Sequence, residues 1–550
     1  MKKILSYKYE ILIAFFAALL FIPFLGQVHL FDWDEINFAE SAREMMVTGD
    51  YLTVRINYEA FWEKPPFFVW LQVLSMKIFG VNEFAARFPN AICGIATLLV
   101  LFNLGKRLKN VSFGLIWTLV FAGSILPFFY FKSGIIDPWF NLFIFLGIYF
   151  LICYTKSGQK GMNAKNMALA AFFIGMGVLT KGPVALLVFL LCTGIYLIIK
   201  RFRVAFKWTH IGVFAIIFTL TGGFWFVLQA ISGNFQILID FIVYQIRLFK
   251  TQDAGHGGFF LYHFVVIFFG VFPASVFMIG GFKRRGDYDP QMNRFRIWMV
   301  ILFWVVLILF TIVRTKIVHY SSLTYFPVSF IAAFYIQKIW ANPNHYKRWI
   351  SVLILIAGVV PALLVSLLPF IGRHKHYIID KNWIKDAFAV GNLQAEVNWT
   401  GFESLIGIFL ILCIITYLLM IKRKKYQQAI VLLFSGTLIF TFFTMVIITP
   451  KIEKFSQRAA IEFYKSLQGK DVYIHPLGYK SYAHYFYGRV TPPTNDNLYN
   501  QEWLLHGDID KPVYFVTKVH KKDKILNENP NLSVMYEKNG FVFIKRSLKN

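Results

Sequence analysis

Apolar residues in this chain come in long blocks rather than in short alternating or one-sided stripes. Residues 11–25, 111–131, 211–231, 297–313, 349–371 and 429–449 are each nearly or wholly free of charge. A helix needs about 20 apolar residues to cross the hydrocarbon of a bilayer, where every backbone polar group must be satisfied within the helix. Extended by length, the pattern predicts spans at 11–30, 88–105, 111–131, 138–154, 167–180, 183–199, 211–231, 259–282, 297–313, 318–336, 349–371, 401–421 and 429–449. The expectation is an α-helical integral membrane protein with about thirteen transmembrane helices over residues 1–450.

Two stretches break the pattern. Residues 67–79 (FFVWLQVLSMKIF) are apolar but short, and Lys77 interrupts them. They predict an interfacial or re-entrant segment inside one external loop, 31–87. Earlier in that loop Phe38, Ala42 and Met45 recur at helical spacing, which predicts a helix lying on the membrane surface or an apolar face packed on protein. From Lys451 onward the chain turns mixed and polar. "DVYIHP", "PVYFVTK" and "FVFIKR" read as short strands and 455–468 as a helix, so 451–550 is expected to form a small α/β domain outside the membrane. Residues 372–400 form a shorter polar loop on the same side.

Composition agrees with the pattern. The chain of 550 residues is 57% hydrophobic, 19% aromatic and only 15% charged, against about 25% charged for an ordinary soluble chain. The formal charge of +27 would suggest nucleic acid in a soluble protein. Here the lysines and arginines cluster between alternate spans, as at Lys106/Arg107/Lys109, Lys200/Arg201/Arg203/Lys207 and Lys422/Arg423/Lys424/Lys425. That is the positive-inside distribution, and it argues for membrane lipids and against nucleic acid as partners. It sets the N-terminus in the cytoplasm and the C-terminal domain outside. The basic start is followed by an apolar run without a small-residue cleavage pattern, which reads as a retained first span. Cys93, Cys153, Cys192 and Cys413 all sit in apolar runs and show no disulfide or zinc spacing.

With that topology, Asp34, Glu35, Arg43, Glu63, Lys64, Asp137, Lys181, His256, Arg314, Lys316, His319 and Tyr320 all fall in external loops or at external helix ends. Charge at membrane depth is costly and marks function or mutual pairing, so the one-sided gathering predicts a cavity at the outer interface. Asp34–Glu35 opens a helical pattern; an acid there is either a cap or a general base. Glu40 and Arg43 are spaced to pair with each other. In "FWEKPPFFVW" the prolines hold Glu63–Lys64 extended, and a lysine at headgroup level suits a phosphate. Asp137 before Pro138 and Lys181 in "LTKGP" repeat the charge–proline junction. His256 lies among glycines in "DAGHGGFFLYHF" and with Glu63 is a candidate ligand pair for a divalent metal (Zn, or Mg/Mn), or simply a solvated loop histidine.

These junctions, in this order, resemble the glycosyltransferase C (GT-C) superfamily. They are most similar to the family of protein O-mannosyltransferases and bacterial lipid A aminoarabinose transferases. The resemblance is carried by "WDEINFAESAREMMVTGDYL", "FWEKPPFFVWL", "KIFGVNEFAARFPNAICG", "IIDPWF", "LTKGP" and "RTKIVHY", with "EKPP" and "NEFAARFP" the most specific. It implies an inverting transfer of a sugar from a polyprenyl-phosphate donor to a lipid A, protein or glycan acceptor, at the periplasmic face of the inner membrane. It implies that Asp34 and Asp137 are the catalytic acids, with Arg43 and Glu63–Lys64 at family motif positions and His256 at a loop-histidine position. One departure is plain: bacterial members often read Asp-Glu-x-Arg-Tyr where this chain has Asp34-Glu35-Ile36-Asn37-Phe38. A phosphate leaving group needs cations where negative charge develops, which nominates Arg43, Lys64, Lys181, Arg314 and Lys316, with Tyr320 beside them. Asp34 is the expected base toward the acceptor. A transporter or flippase of lipid-linked sugars is the rival; such proteins place polar groups at the bilayer midplane on repeated, broken helices.

Overall fold

The computed structural model describes residues 7–155, 163–204, 206–250, 257–282 and 289–548. Every apolar block contains helix. Among the described residues six helices are long and apolar enough to cross a membrane: Glu83–Leu108, Asp137–Thr155, Pro290–Ile312, Arg348–Arg373, Ser404–Lys422 and the run Tyr426–Glu453. Two bent pairs raise the number to eight if each pair is one span. Trp208–Gly222 and Phe224–Ile231 meet at 57°, and Tyr262–Gly270 and Ala274–Gly281 at 110°. The second break falls at Pro273, which has no N–H to give an uninterrupted helix. Block 111–131 is likewise divided, into Val111–Ala122 and Ile125–Tyr130. The helices share one large apolar core in which Trp117, Trp298, Phe145 and Phe330 are fully buried.

The first loop holds two helices, Asp34–Thr48 and Phe67–Phe79, joined across the short hairpin β1 (Arg55–Ile56) and β2 (Glu59–Ala60). Phe67–Phe79 has the 13 residues its pattern predicts. Asp34–Thr48 does not lie on a surface: Glu35 through Met45 are all buried, and the Phe38–Ala42–Met45 face packs on protein, including Phe68, Val69, Val73 and Met76.

Beyond residue 450 a four-stranded sheet forms, ordered β3 (Tyr473–Pro476), β4 (Val513–Lys518), β6 (Phe541–Arg546) and β5 (Ser533–Lys538). β3 runs parallel to β4, and the other pairs are antiparallel. Three strands and the helix Arg458–Ser466 match the hydrophobic pattern. β5 carries no buried residue and so gives no apolar signal. One sheet face closes a local core of Val513, Phe515, Val542 and Ile544. The other, with Phe541, Phe543, Tyr464, Phe486 and Tyr487, shares a single core with Leu30, Ile36, Phe38 and Phe68 of the first loop.

Candidate functional site

Helix ends converge on one cavity of about 650 Å3, well within the 300–1,000 Å3 or so typical of small-molecule sites. Asp34 and Asp137 each open a helix, where a carboxylate suits the positive end of the dipole. Lys181 closes the helix Ala164–Lys181, where a cation suits the negative end. Lys64 stands just ahead of Phe67–Phe79, and His319 and Tyr320 ride on the 3-10 helix Val318–Thr324. All six side chains line the cavity, and so does Glu63.

The two acids differ in freedom. Asp137 is pinned: its carboxylate accepts from Lys181 Nζ at 2.6 Å and its side chain is only 4% exposed. Asp34 is 44% exposed. His319 Nε2 lies between them, 3.4 Å from an Asp34 oxygen and 4.0 Å from an Asp137 oxygen. Lys181 also faces the Tyr320 ring at 5.4 Å. Lys64 Nζ sits 5.0 Å from the Tyr244 ring centroid. Burial pulls its pKa below the usual lysine value, against the charges of Glu63, Asp34 and Asp137. The neighbouring acid Glu35 has another task. Both of its oxygens take Arg87, at 3.0 and 2.7 Å, and the backbone N–H groups of Phe31 and Gly134 complete the set. Burial alone would raise its pKa, but Arg87 and these donors win and hold it below the ordinary glutamate range.

Three expected phosphate contacts stand elsewhere. Arg43 does not line the cavity. It donates to Glu40 at 2.7 and 2.6 Å and to the Val490 carbonyl at 2.8 Å, so it fastens the first-loop helix to the C-terminal sheet unit. The Glu40–Arg43 pairing expected from spacing exists, but buried rather than on a surface. Lys316 is turned away, donating to the Phe310, Thr311 and Val313 carbonyls at 3.1, 2.6 and 2.6 Å. These acceptors end the helix Pro290–Ile312, and a lysine satisfies them as a cap. Arg314 is exposed and outside the cavity lining. His256 lies outside the described residues. Glu63 accepts from the Tyr244 hydroxyl at 2.9 Å. Among the described residues no group of three or more His, Cys, Asp or Glu is placed to hold a metal ion.

The cavity also contains residues that sequence reading missed. Arg247 and Tyr244 come from the helix Phe235–Lys250, one turn apart. Lys480 and Tyr482 come from the loop after β3; Lys480 Nζ is 4.8 Å from the Trp33 ring and 5.3 Å from that of Tyr482. Asn37, where the bacterial pattern has arginine, lines the cavity with its buried side-chain oxygen unpartnered among the described residues. A Tyr–Arg pair at i,i+3 on an apolar helix was a readable signal for the first pair. Nothing local marks the Lys480 loop.

The fold is that of the GT-C membrane proteins, with a small C-terminal sheet unit. Over 98% of this chain and 98% of the other it superimposes with a TM-score of 0.75, at 16% identity, on the crystal structure of ArnT from Cupriavidus metallidurans bound to undecaprenyl phosphate. The dolichyl-phosphate-mannose-protein mannosyltransferase family matches residues 63–225. An undecaprenyl phosphate-alpha-4-amino-4-deoxy-L-arabinose arabinosyl transferase from Proteus mirabilis (strain HI4320) is 24% identical over 341 residues, covering 62% of this chain and 61% of that protein's length. One from Wigglesworthia glossinidia brevipalpis is 24% identical over 418 residues, covering 75% and 72%. This multi-pass membrane protein therefore resembles the aminoarabinose transferases in both sequence and fold.

Proposed function

We propose that the protein is an inverting glycosyltransferase that takes a sugar from a polyprenyl-phosphate donor. The observation that carries this is the single cavity in which the half-exposed Asp34 faces a set of cations, Lys64, Lys181, Arg247 and Lys480, drawn from four separate parts of the chain. Lys64 and Arg247 receive the donor phosphate. An acceptor hydroxyl attacks the anomeric carbon as its proton passes to the Asp34 carboxylate. The bond from that carbon to the phosphate oxygen breaks, and the electron pair leaves on the phosphate, whose charge the ammonium and guanidinium groups stabilise. Because one base serves one displacement, configuration inverts by analogy with inverting glycosidases. Asp137, held by Lys181, and His319 fix the floor on which Asp34 is aimed. The apolar wall of Phe140, Val184, Val188 and Phe310 accepts the start of the lipid. The basic clusters between spans support a cavity on the periplasmic side of an inner membrane. Lipid A, a protein hydroxyl or another glycan fits as acceptor.

The experiment is mass spectrometry of lipids and glycoconjugates from cells carrying the wild-type chain, none, Asp34→Asn or Lys64→Ala. One added sugar mass appears with the wild type and is absent from the other three, while both variants still reach the membrane. Near-wild-type transfer by either variant removes its assigned role.

A further inference from the structure

The helices Glu83–Leu108 and Asp137–Thr155 carry Arg87 and Asp137 near one end. Their other ends meet the start of Pro290–Ile312 around a separate cavity of about 210 Å3. Asp137 and Cys153, on one helix, lie about 24 Å apart by helical rise, so the two cavities stand on opposite sides of a bilayer's hydrocarbon. Arg107, Tyr149, Gln291 and Arg294 line this second cavity, and Leu108, Ile152 and Phe295 give it an apolar wall. The nearby acids are already engaged. Glu10 pairs with Lys106 at 3.1 Å. Asp289 caps Pro290–Ile312, accepting from the Gln291 and Met292 N–H groups at 3.0 and 3.1 Å. Among the described residues neither Arg107 nor Arg294 is within ion-pair distance of a carboxylate. Arg294 gives one N–H to the Thr155 carbonyl at 3.4 Å. That contact sets the guanidinium over the end of Asp137–Thr155 and leaves its remaining donors for a ligand, since a guanidinium has five.

Two guanidinium groups on one cavity repel each other, and an anion shared between them turns that cost into two charge-assisted contacts. We propose that the cavity binds the phosphate of an anionic phospholipid such as phosphatidylglycerol. Arg107 and Arg294 take the phosphate, Tyr149 and Gln291 are the uncharged donors, and the acyl chains leave along Leu108, Ile152 and Phe295. A free phosphate offers the same anion but makes no use of the apolar wall, and a basic pocket between membrane helices at headgroup level suits a lipid. In the orientation proposed above the lipid belongs to the cytoplasmic leaflet. Its binding does not depend on the transferase reading. It ties together the far ends of three helices, two of which carry Arg87 and Asp137 on the other side.

The test is native mass spectrometry of the full-length protein titrated with dioleoyl phosphatidylglycerol or dioleoyl phosphatidylethanolamine, with and without inorganic phosphate. The first phosphatidylglycerol binds about tenfold more tightly than phosphatidylethanolamine. Arg107→Gln with Arg294→Gln removes that preference. Arg107→Gln alone, at an exposed position that the fold tolerates, weakens phosphatidylglycerol several-fold. Arg423→Gln, in a basic cluster outside the cavity, leaves it unchanged. Thermal unfolding in nanodiscs adds a second reading: replacing phosphatidylcholine with phosphatidylglycerol raises the midpoint of the wild type more than that of Arg107→Gln. Equal affinity for the two lipids, wild-type affinity in Arg107→Gln, or an equal loss in Arg423→Gln overturns the site, the last by reducing it to general surface charge. Displacement of phosphatidylglycerol by inorganic phosphate overturns the lipid as its occupant.

Discussion

Asp34 and Glu35 are neighbours of the same chemical class with opposite tasks, and long-range partners decide which is which. Arg87, which holds Glu35, also donates to the Leu25, Val28 and His29 carbonyls at 2.8, 2.6 and 3.0 Å. Removing the carboxylate would strand a buried guanidinium, at a cost of about 3–5 kcal/mol. Glu35→Ala is therefore expected to lower the thermal midpoint of the purified protein sharply. Asp34→Asn, at a half-exposed position, should shift stability by no more than about 0.5 kcal/mol while abolishing turnover. Differential scanning fluorimetry beside the transfer assay separates the two. Both acids were visible in the sequence as a pair at a helix start. Their division of labour was not, because Arg87 stands at the far end of the first loop, 52 residues after Glu35. Lys64 gives a second expectation at this scale. In the proposed role it binds phosphate as the ammonium, and burial lowers its pKa. The alkaline limb of the kcat/KM profile should then fall at a pH below that of an ordinary lysine. Lys64→Arg, charged at all accessible pH, should push that limb upward even if the rate itself drops; a limb that does not move removes Lys64 from the profile.

Helix ends are the elements that make the site, and they account for what patterning showed and what it hid. Apolar blocks located the helices because burial in lipid or in the core demands unbroken apolar length. The breaks were less visible: the bend at Pro273 and the split after Ala122 interrupt blocks whose composition does not change. Lys316 shows the same limit for a side chain. By sequence it is one more cation in a cluster; in the fold the open carbonyls at the end of Pro290–Ile312 claim it. Lys316→Met should cost stability and leave undecaprenyl phosphate affinity near the wild-type value, whereas a phosphate ligand would show the reverse. The hairpin β5–β6 carried a turn signal that apolar patterning passes over. Asn539–Gly540, both at positive φ (50° and 82°), is the dipeptide that two-residue hairpin turns favour. Gly391 packs its bare Cα against Gly540, so the Ala387–Leu393 helix seats on the sheet without room for a side chain.

At the scale of the molecule, the sheet unit and the first loop are one body. They share an apolar core, and polar ties reinforce it: Tyr487 OH accepts from the Leu30 N–H at 2.6 Å, and Tyr58 OH donates to the Val490 carbonyl at 2.7 Å, the same oxygen that Arg43 reaches at 2.8 Å. Sequence pattern marked the polar tail as a separate compartment because its strands are short and its surface charged. It gave no sign that the sheet's second face is closed by residues more than 400 positions earlier, since a buried face reads the same whatever covers it. The consequence is a strong dependence of the Asp34 cavity on the tail. Removing residues 451–550 takes away Lys480 and Tyr482 and uncovers Ile36, Phe38 and Phe68, whose helices carry Asp34 and adjoin Lys64. The truncated chain should still insert, because its long apolar helices are intact. Its first loop should become sensitive to protease, and undecaprenyl phosphate binding should be lost. Arg43→Ala in the full chain should reproduce a milder form, with faster cleavage in the first loop and weaker donor binding, although Arg43 touches no part of the cavity. Intact donor binding by the truncated protein would mean that the sheet unit only decorates a site the membrane helices build alone.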